Sequence, residues 1–233
     1  MFHQFSSSYS HVPLTLPSGD TARPGKILCI GRNYGAHVRE MDDVADLPTE
    51  PVVFLKPSTA LIPSGGTVIL PSQSNEVHHE LELVVVIGEG GRHIPETEAL
   101  NHVAAYALGL DLTARDLQAK AKADKGPWSI AKGFDTFAPL GRLTPASEIT
   151  DPQALTIELK VNGEVQQHGK TAQMIFPVAG LVSYLSSVFT LEQGDLIYTG
   201  TPEGVGPIHD GDVLEATGTG LKALLVNVVA EST

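Results

Sequence analysis

In the stretch "EVHHELELVVVIG", residues 76–88, two carboxylates enter a run that otherwise reads as buried strand. A buried charge is costly unless it is paired or bound to a metal. Side chains alternate along a strand, so Glu80 and Glu82 share one face, roughly 6–7 Å apart, while Leu81 and Leu83 point the other way. A divalent cation between them, with ligand distances of about 2–2.5 Å, would engage both. Asp111 is the third candidate, because it ends the apolar run of "YALGLDLTARD" where a hydrophobic element meets a polar one. Three carboxylates make a hard, oxygen-rich site suited to Mg²⁺ or Mn²⁺, and one that also admits Ca²⁺. Two rivals stay open at this point. E-x-E alone is common on solvent-exposed strand faces, and His78 with His79 would serve zinc or iron, although no H-x-x-E-H spacing supports that.

Other residues carry chemistry at readable spacing. His37 and Glu40 stand three apart in "GAHVREM", so a helix places them on one face, where a carboxylate orients an imidazole and raises its basicity. Taken alone such a pair is usually a surface coincidence. Lys132 follows apolar Ile130 and Ala131 in "SIAKGFD", which argues against a snorkelling surface lysine. Arg115 and Gln118 follow Asp111 at i+4 and i+7, so one helix through all three would stack them, though Arg115 fits a surface ion pair equally well. Arg32 and Asn33 either line the same cleft or make the turn after a strand. "TGTPEGVGP" (199–207) lacks the G-K-[ST] ending of a phosphate cradle, and no G-x-G-x-x-G fingerprint occurs, so no organic cofactor is expected. Its Gly200, Gly204 and Gly206 permit tight turns.

The elements that must position these groups are short. Sixteen prolines and 23 glycines punctuate the 233 residues into strands and turns, and 42% hydrophobic content supports one sizeable core. Residues 1–25 read as a loosely organised N-terminal arm. "KILCIG", "PVVFLKP" and 79–88 read as strands, and "GAHVREM" as a short helix. "ETEALNHVAAYALG" (96–109) has helical apolar spacing, and "TARDLQAKAKAD" (113–124) reads as a polar helix. "LTIELKVNGEVQQ" is a hairpin, since Asn162-Gly163 suits a type I′ turn. Pro177 starts a helix through "VAGLVSYLSSV", and "DLIYTG", "GDVLEAT" and "LKALLVNVV" close the chain as strands. A net charge of −12 argues against nucleic acid or an anionic membrane as partner, but not against a small acid held by local positive charge. The single cysteine, Cys29, rules out an internal disulfide; with no visible signal peptide and no membrane-length apolar run, a cytoplasmic location is expected.

Four stretches together, "GRNYGAHVREM", "HHELELVVVIG", "DLTARDLQ" and "TGTPEGVGP", resemble the fumarylacetoacetate hydrolase family, with "FLKPSTA", "PWSIAKGFD", "LKVNG" and "MIF" matching between them. The similarity covers roughly residues 26–229 and is closest to the short acylpyruvate hydrolase and oxaloacetate decarboxylase members. It implies a catalytic domain over 26–233 of the α+β, mainly β class: a mixed β-sandwich roll with peripheral helices, usually a homodimer. It implies that Glu80, Glu82 and Asp111 bind Mg²⁺ or Mn²⁺, and that His37 and Glu40 form a catalytic dyad on a segment that orders over the substrate. Lys132 matches a lysine facing the substrate oxygens. Arg115 and Gln118 match positions near the substrate carboxylate, and the resemblance implies that loop 199–207 brings backbone amides and the Thr201 hydroxyl to it. The implied reaction cleaves acylpyruvates such as acetylpyruvate or fumarylpyruvate to pyruvate and a carboxylic acid, through a pyruvate enolate held on the ion. Oxaloacetate decarboxylation uses the same enolate. Isomerisation or hydration of dienoic 2-oxo acids, and a metal-binding protein without turnover, are the remaining readings.

Overall fold

A computed structural model describes residues 12–41 and 46–231. Strand Leu81–Ile87 is buried along its whole length, which is why its sequence is a continuous apolar run and not an alternating one. It lies in the middle of an eight-stranded mixed sheet. Val52–Lys56, Ile27–Gly31 and Leu196–Tyr198 lie on one side of it, and Val103–Leu110, Ala138–Leu140 and Leu61–Pro63 on the other, with the short Thr144–Pro145 also pairing with Val103–Leu110. Leu83, Val85 and Ile87 pack beneath helix Val178–Val188 through Leu181, Val182 and Leu185. Each such fully buried side chain contributes roughly 1.5–3 kcal/mol. On the opposite face, Val84 and Val86 join Cys29 and Tyr198.

A second sheet of five strands closes the roll. Its order is Glu164–Lys170, Thr156–Val161, Val213–Gly218, Leu221–Ala230 and Thr67–Leu70. Leu159, Leu214, Leu224 and Val226 from this sheet pack against Leu81, Leu108 and Leu110 of the first. The expected hairpin is present, with Asn162 at φ 51° and Gly163 at φ 84°, as a type I′ turn requires. The protein is therefore mainly β with peripheral helices, as the resemblance implied.

Two expectations give way. Residues 96–109 are not one helix: Glu96–His102 is a 3₁₀ segment and Val103–Leu110 is a strand. Pairing on both sides, with Leu81–Ile87 and with 138–145, outweighs the helical spacing of its alanines and leucines. Gly109 allows that packing, since a Cβ there would stand 2.5 Å from Val84 and 2.7 Å from Tyr198. The arm is also better tied than expected over residues 12–25. Leu14–Thr15 pairs with Thr21–Ala22, and Leu14, Leu16 and Ala22 enter the core. Residues 1–11 of the arm lie outside the described residues. Among the described residues no helix is long and apolar enough to cross a membrane.

Candidate active site

Antiparallel pairing of Leu81 with Leu110 sets the tips of two strands side by side. Glu80 sits in the short break before Leu81–Ile87, Glu82 within that strand, and Asp111 directly after Val103–Leu110. The Asp111 N–H donates to the Glu80 carbonyl at 2.8 Å, locking the two tips together. As a result, ligand oxygens of Glu80, Glu82 and Asp111 lie within 4.8 Å of one another, and all three residues are buried. That disposes of the exposed-face reading. It also disposes of the zinc or iron reading. His78 turns to Glu76 and His79 to Gln167, and among the described residues no histidine joins the cluster.

Three cations stand around the carboxylates. Lys132 Nζ lies 2.8 Å from Glu80 Oε2 and 2.6 Å from Asp111 Oδ2. Arg115 Nη2 lies 2.7 Å from Glu80 Oε1. Lys56, buried, lies 2.7 Å from Asp111 Oδ1 and donates to the carbonyls of Leu112 and Lys132. Burial alone would raise the Glu80 pKa, but Lys132 and Arg115 hold it well below the usual carboxylate range. Burial would likewise lower the Lys132 pKa, yet Asp111 and Glu80 hold it above its ordinary value. Glu82 is different. Its Oε2 accepts the Gly200 N–H at 2.7 Å, and among the described residues no lysine or arginine pairs with it. Burial, then the charges of Asp111 and Glu80, push its pKa well up. A buried carboxylate with like charges beside it and no cation of its own is the observation that fits a divalent ion here. Three carboxylates are also the donor set that Mg²⁺ and Mn²⁺ prefer.

These groups open on a cavity of about 450 Å³, within the usual size of small-molecule sites. Glu80, Glu82, Lys132, Arg115, Gln118 and Thr201 line its floor, and Val52, Phe54 and Trp128 form an apolar wall. His37 reaches it from helix Gly35–Met41. Its Nδ1 lies 3.0 Å from Glu40 Oε2, while Glu40 Oε1 accepts the Gly204 N–H at 2.9 Å. Against the upward push of burial, these bonds keep the Glu40 carboxyl below its ordinary value. The glycine-rich loop thus holds two functional carboxylates through its backbone, Glu82 at Gly200 and Glu40 at Gly204. Gly200 needs to be glycine: its φ is 96°, and a Cβ would stand 2.6 Å from Asn33.

Of the ten residues singled out from the sequence, eight line the cavity, and Asp111 lies beneath Lys132 while Glu40 stands behind His37. Arg115 and Gln118 do stack, with Arg115 Nη1 donating to Gln118 Oε1 at 2.8 Å, so the Gln118 amide hydrogens remain available. Asp111 is not part of that helix, which runs Arg115–Ala123; a two-residue strand, Thr113–Ala114, intervenes. Arg32 faces the cavity with a left-handed φ of 61°, a backbone state that costs a non-glycine residue free energy. Asn33 has the structural role. It is fully buried and donates to the carbonyls of Thr199 and Phe176, tying the turn to the glycine loop. Sequence reasoning passed over Lys56, Lys122 and Gln167. Lys56 gave one signal, a lysine closing an apolar strand between two prolines.

The chain matches the family model described as fumarylacetoacetate (FAA) hydrolase C-terminal over residues 26–229. It is 48% identical over 203 residues to the mitochondrial oxaloacetate tautomerase FAHD1 of Arabidopsis thaliana, covering 87% of this chain and 90% of that one. The human protein of the same name is 47% identical over 202 residues, with the same coverage. Among solved structures, a fumarylpyruvate hydrolase from Pseudomonas aeruginosa in complex with Mn²⁺ and pyruvate superposes with a TM-score of 0.89. It is 44% identical and covers 99% of this chain and 100% of its own. A 5-carboxymethyl-2-hydroxymuconate delta-isomerase from Mycobacterium smegmatis gives 0.81 at 41% identity, covering 90% of this chain and 80% of its own. With residues 26–229 matched by the family model and its fold shared with these structures, this chain belongs to the fumarylacetoacetate hydrolase family.

Proposed function

We propose that this protein is a Mg²⁺- or Mn²⁺-dependent hydrolase of acylpyruvates, and that it prefers those carrying a second carboxylate. One observation carries the reading: the His37 imidazole, oriented by Glu40, opens onto the same cavity as Glu80, Glu82 and Lys132, with Asp111 directly beneath Lys132. An ionised Glu40 only accepts hydrogen bonds, so His37 carries its hydrogen on Nδ1 and keeps Nε2 as the basic nitrogen. The ion, held by Glu80, Glu82 and Asp111, would supply Lewis-acid stabilisation of the negative charge that develops on a 2-oxo acid. His37 Nε2 takes a proton from water as the water oxygen bonds to the distal carbonyl carbon. The bond between that carbon and C3 then breaks, and its electron pair passes to the pyruvate enolate. The proton that His37 took from water passes to C3 and gives pyruvate, and the acyl group departs as a carboxylic acid. Lys132, held charged beside the floor of the cavity, offsets charge growing on the substrate oxygens. Arg115, Gln118 and Thr201 supply donors for the carboxylate next to the oxo group. The Pseudomonas aeruginosa hydrolase with Mn²⁺ and pyruvate supports this reading.

The second carboxylate is argued from the cavity mouth. Arg32 and Lys122 both line it, and among the described residues neither forms an ion pair with a carboxylate. Lys122 Nζ stands 5.6 Å above the Trp128 ring, and burial, followed by Arg115 and Arg32, keeps its pKa below the ordinary value. In a chain of net charge −12 this local excess of positive charge fits a dianion.

A second reading, keto–enol interconversion of oxaloacetate, is favoured by the FAHD1 relatives. It needs the same anion sites and a proton acceptor but no attacking water. Steady-state assays with acetylpyruvate, fumarylpyruvate and oxaloacetate, with Mg²⁺ and with Mn²⁺, separate the two. Pyruvate released from fumarylpyruvate supports hydrolysis. Loss of oxaloacetate enol absorbance without any cleavage of 2,4-dioxo acids gives the second reading instead, and neither activity overturns both.

A further inference from the structure

Gln167 lies in strand Glu164–Lys170 of the second sheet, fully buried, with every polar atom of its side chain engaged. Its Oε1 accepts the Leu81 N–H at 2.9 Å and lies 2.9 Å from His79 Nδ1. Its Nε2 lies 2.8 Å from Thr201 Oγ1 and 2.9 Å from the Pro202 carbonyl. His79 and Leu81 flank Glu80 in the chain, and Thr201 lines the cavity. One amide therefore joins the strand carrying the carboxylates to the loop carrying the ligand-facing hydroxyl.

The hydrogen positions follow from these partners. A backbone N–H only donates, so the atom facing Leu81 is the amide oxygen; a carbonyl only accepts, so the atom facing Pro202 is the amide nitrogen. His79 must then carry its hydrogen on Nδ1. With one hydrogen of the amide nitrogen given to Pro202, the other goes to Thr201 Oγ1. That oxygen accepts within the protein, and among the described residues its own hydrogen goes to no protein acceptor. The free hydrogen is left for the cavity.

Resting on the reading that this cavity binds the carboxylate of a 2-oxo acid, we propose that Gln167 is a positioning residue. It fixes the Thr201 hydroxyl as a hydrogen-bond donor to an anionic ligand oxygen. A donor held in place before the ligand arrives loses no rotational freedom on binding, and a bond to a charged acceptor is stronger than a neutral one. Gln167→Glu removes this arrangement with almost no change of shape. The carboxylate still accepts from Leu81 and His79, but its second oxygen loses the bond to the Pro202 carbonyl and accepts from Thr201, turning that hydrogen away from the cavity.

The test is a double-mutant cycle on the full-length protein with saturating Mn²⁺, reading oxalate affinity by calorimetry. Thr201→Val and Gln167→Glu are each expected to weaken oxalate about tenfold or more, since bonds to charged groups contribute roughly 1.5–3 kcal/mol. The double variant is expected to be no weaker than Thr201→Val alone, and Thr201→Ser to retain wild-type affinity. A merely structural Gln167 would lower oxalate affinity in the Thr201→Val background too, and that additivity would overturn the proposal. Should Gln167→Glu fail to fold, Thr201→Val still decides: unchanged oxalate affinity means the hydroxyl donates nothing. Failure of the underlying reading looks different, because the wild-type protein with Mn²⁺ would then bind neither oxalate nor pyruvate.

Discussion

Replacing Glu82 by glutamine should make the metal-free protein more stable and abolish Mn²⁺ binding and Mn²⁺-dependent activity. The ligand oxygens of Glu80, Glu82 and Asp111 converge within 4.8 Å, and Glu82 alone lacks a cationic partner among the described residues. Like charges at that separation cost about 3.5 kcal/mol per pair at an effective dielectric constant of about 20. Without metal, burial and these like charges favour the protonated form of Glu82, and holding that proton becomes more costly as pH rises above the ordinary 4.5. The penalty removed by a neutral side chain is of the order of one such pair. Glutamine is neutral at no cost and keeps an oxygen for the Gly200 N–H. The gain should therefore be about 2–3 kcal/mol, or roughly 5–10 °C in Tm for a domain of this size. The sign with pH is also fixed. Glu82 has a raised folded-state pKa, so the unfolded chain loses the proton first and the stability of the wild type falls as pH rises above 4.5. The advantage of the variant should vanish near pH 4.5 and grow toward neutrality. Calorimetric melting in EDTA at pH 5 and pH 7 measures it, and Mn²⁺ added at a hundredfold excess over Kd should stabilise only the wild type, by about 2.7 kcal/mol. A variant less stable than wild type in EDTA at pH 7, or a difference independent of pH, would refute the reasoning.

His37→Ala should lower hydrolysis of fumarylpyruvate by about 10²- to 10⁴-fold while leaving Mn²⁺ affinity, read by electron paramagnetic resonance, unchanged. Lys56→Met removes the buried partner of Asp111 and should cost about 3–5 kcal/mol of stability in EDTA, read by urea unfolding. Lys122→Leu should raise KM about tenfold for fumarylpyruvate, roughly the 1.4 kcal/mol of one ionic contact, and leave KM for acetylpyruvate unchanged. Equal effects on both substrates would remove the second-carboxylate preference.

What was legible in the sequence was local. The i, i+3 spacing of His37 and Glu40, the E-x-E of a buried strand and the Asn162-Gly163 turn each fix geometry over a few residues, and the structure keeps all three. For Lys132 the family resemblance is the better guide, and the apolar residues before it are a poor one. Its apolar neighbour Ile130 points to solvent at 72% exposure, and the short helix Ser129–Lys132 turns the lysine inward toward Glu80 and Asp111. Residues 103–110 were misread because pairing on both edges, a tertiary property, decides between strand and helix there. Gln167 gave no signal at all, since its partners stand 86 and 88 residues away in one direction and 34 in the other. Polar residues that join distant segments show themselves only when the fold brings the segments together.

The proposed chemistry needs one divalent ion gathered by three carboxylates and presented to a 2-oxo acid. Anomalous diffraction at the manganese edge, from crystals grown with Mn²⁺ and pyruvate, reads this out. One strong peak is expected about 2–2.5 Å from oxygens of Glu80, Glu82 and Asp111, with pyruvate beside it and Thr201 facing the carboxylate. A peak elsewhere, or the same three carboxylates still closed on Lys132, Arg115 and Lys56 with no manganese among them, would contradict it.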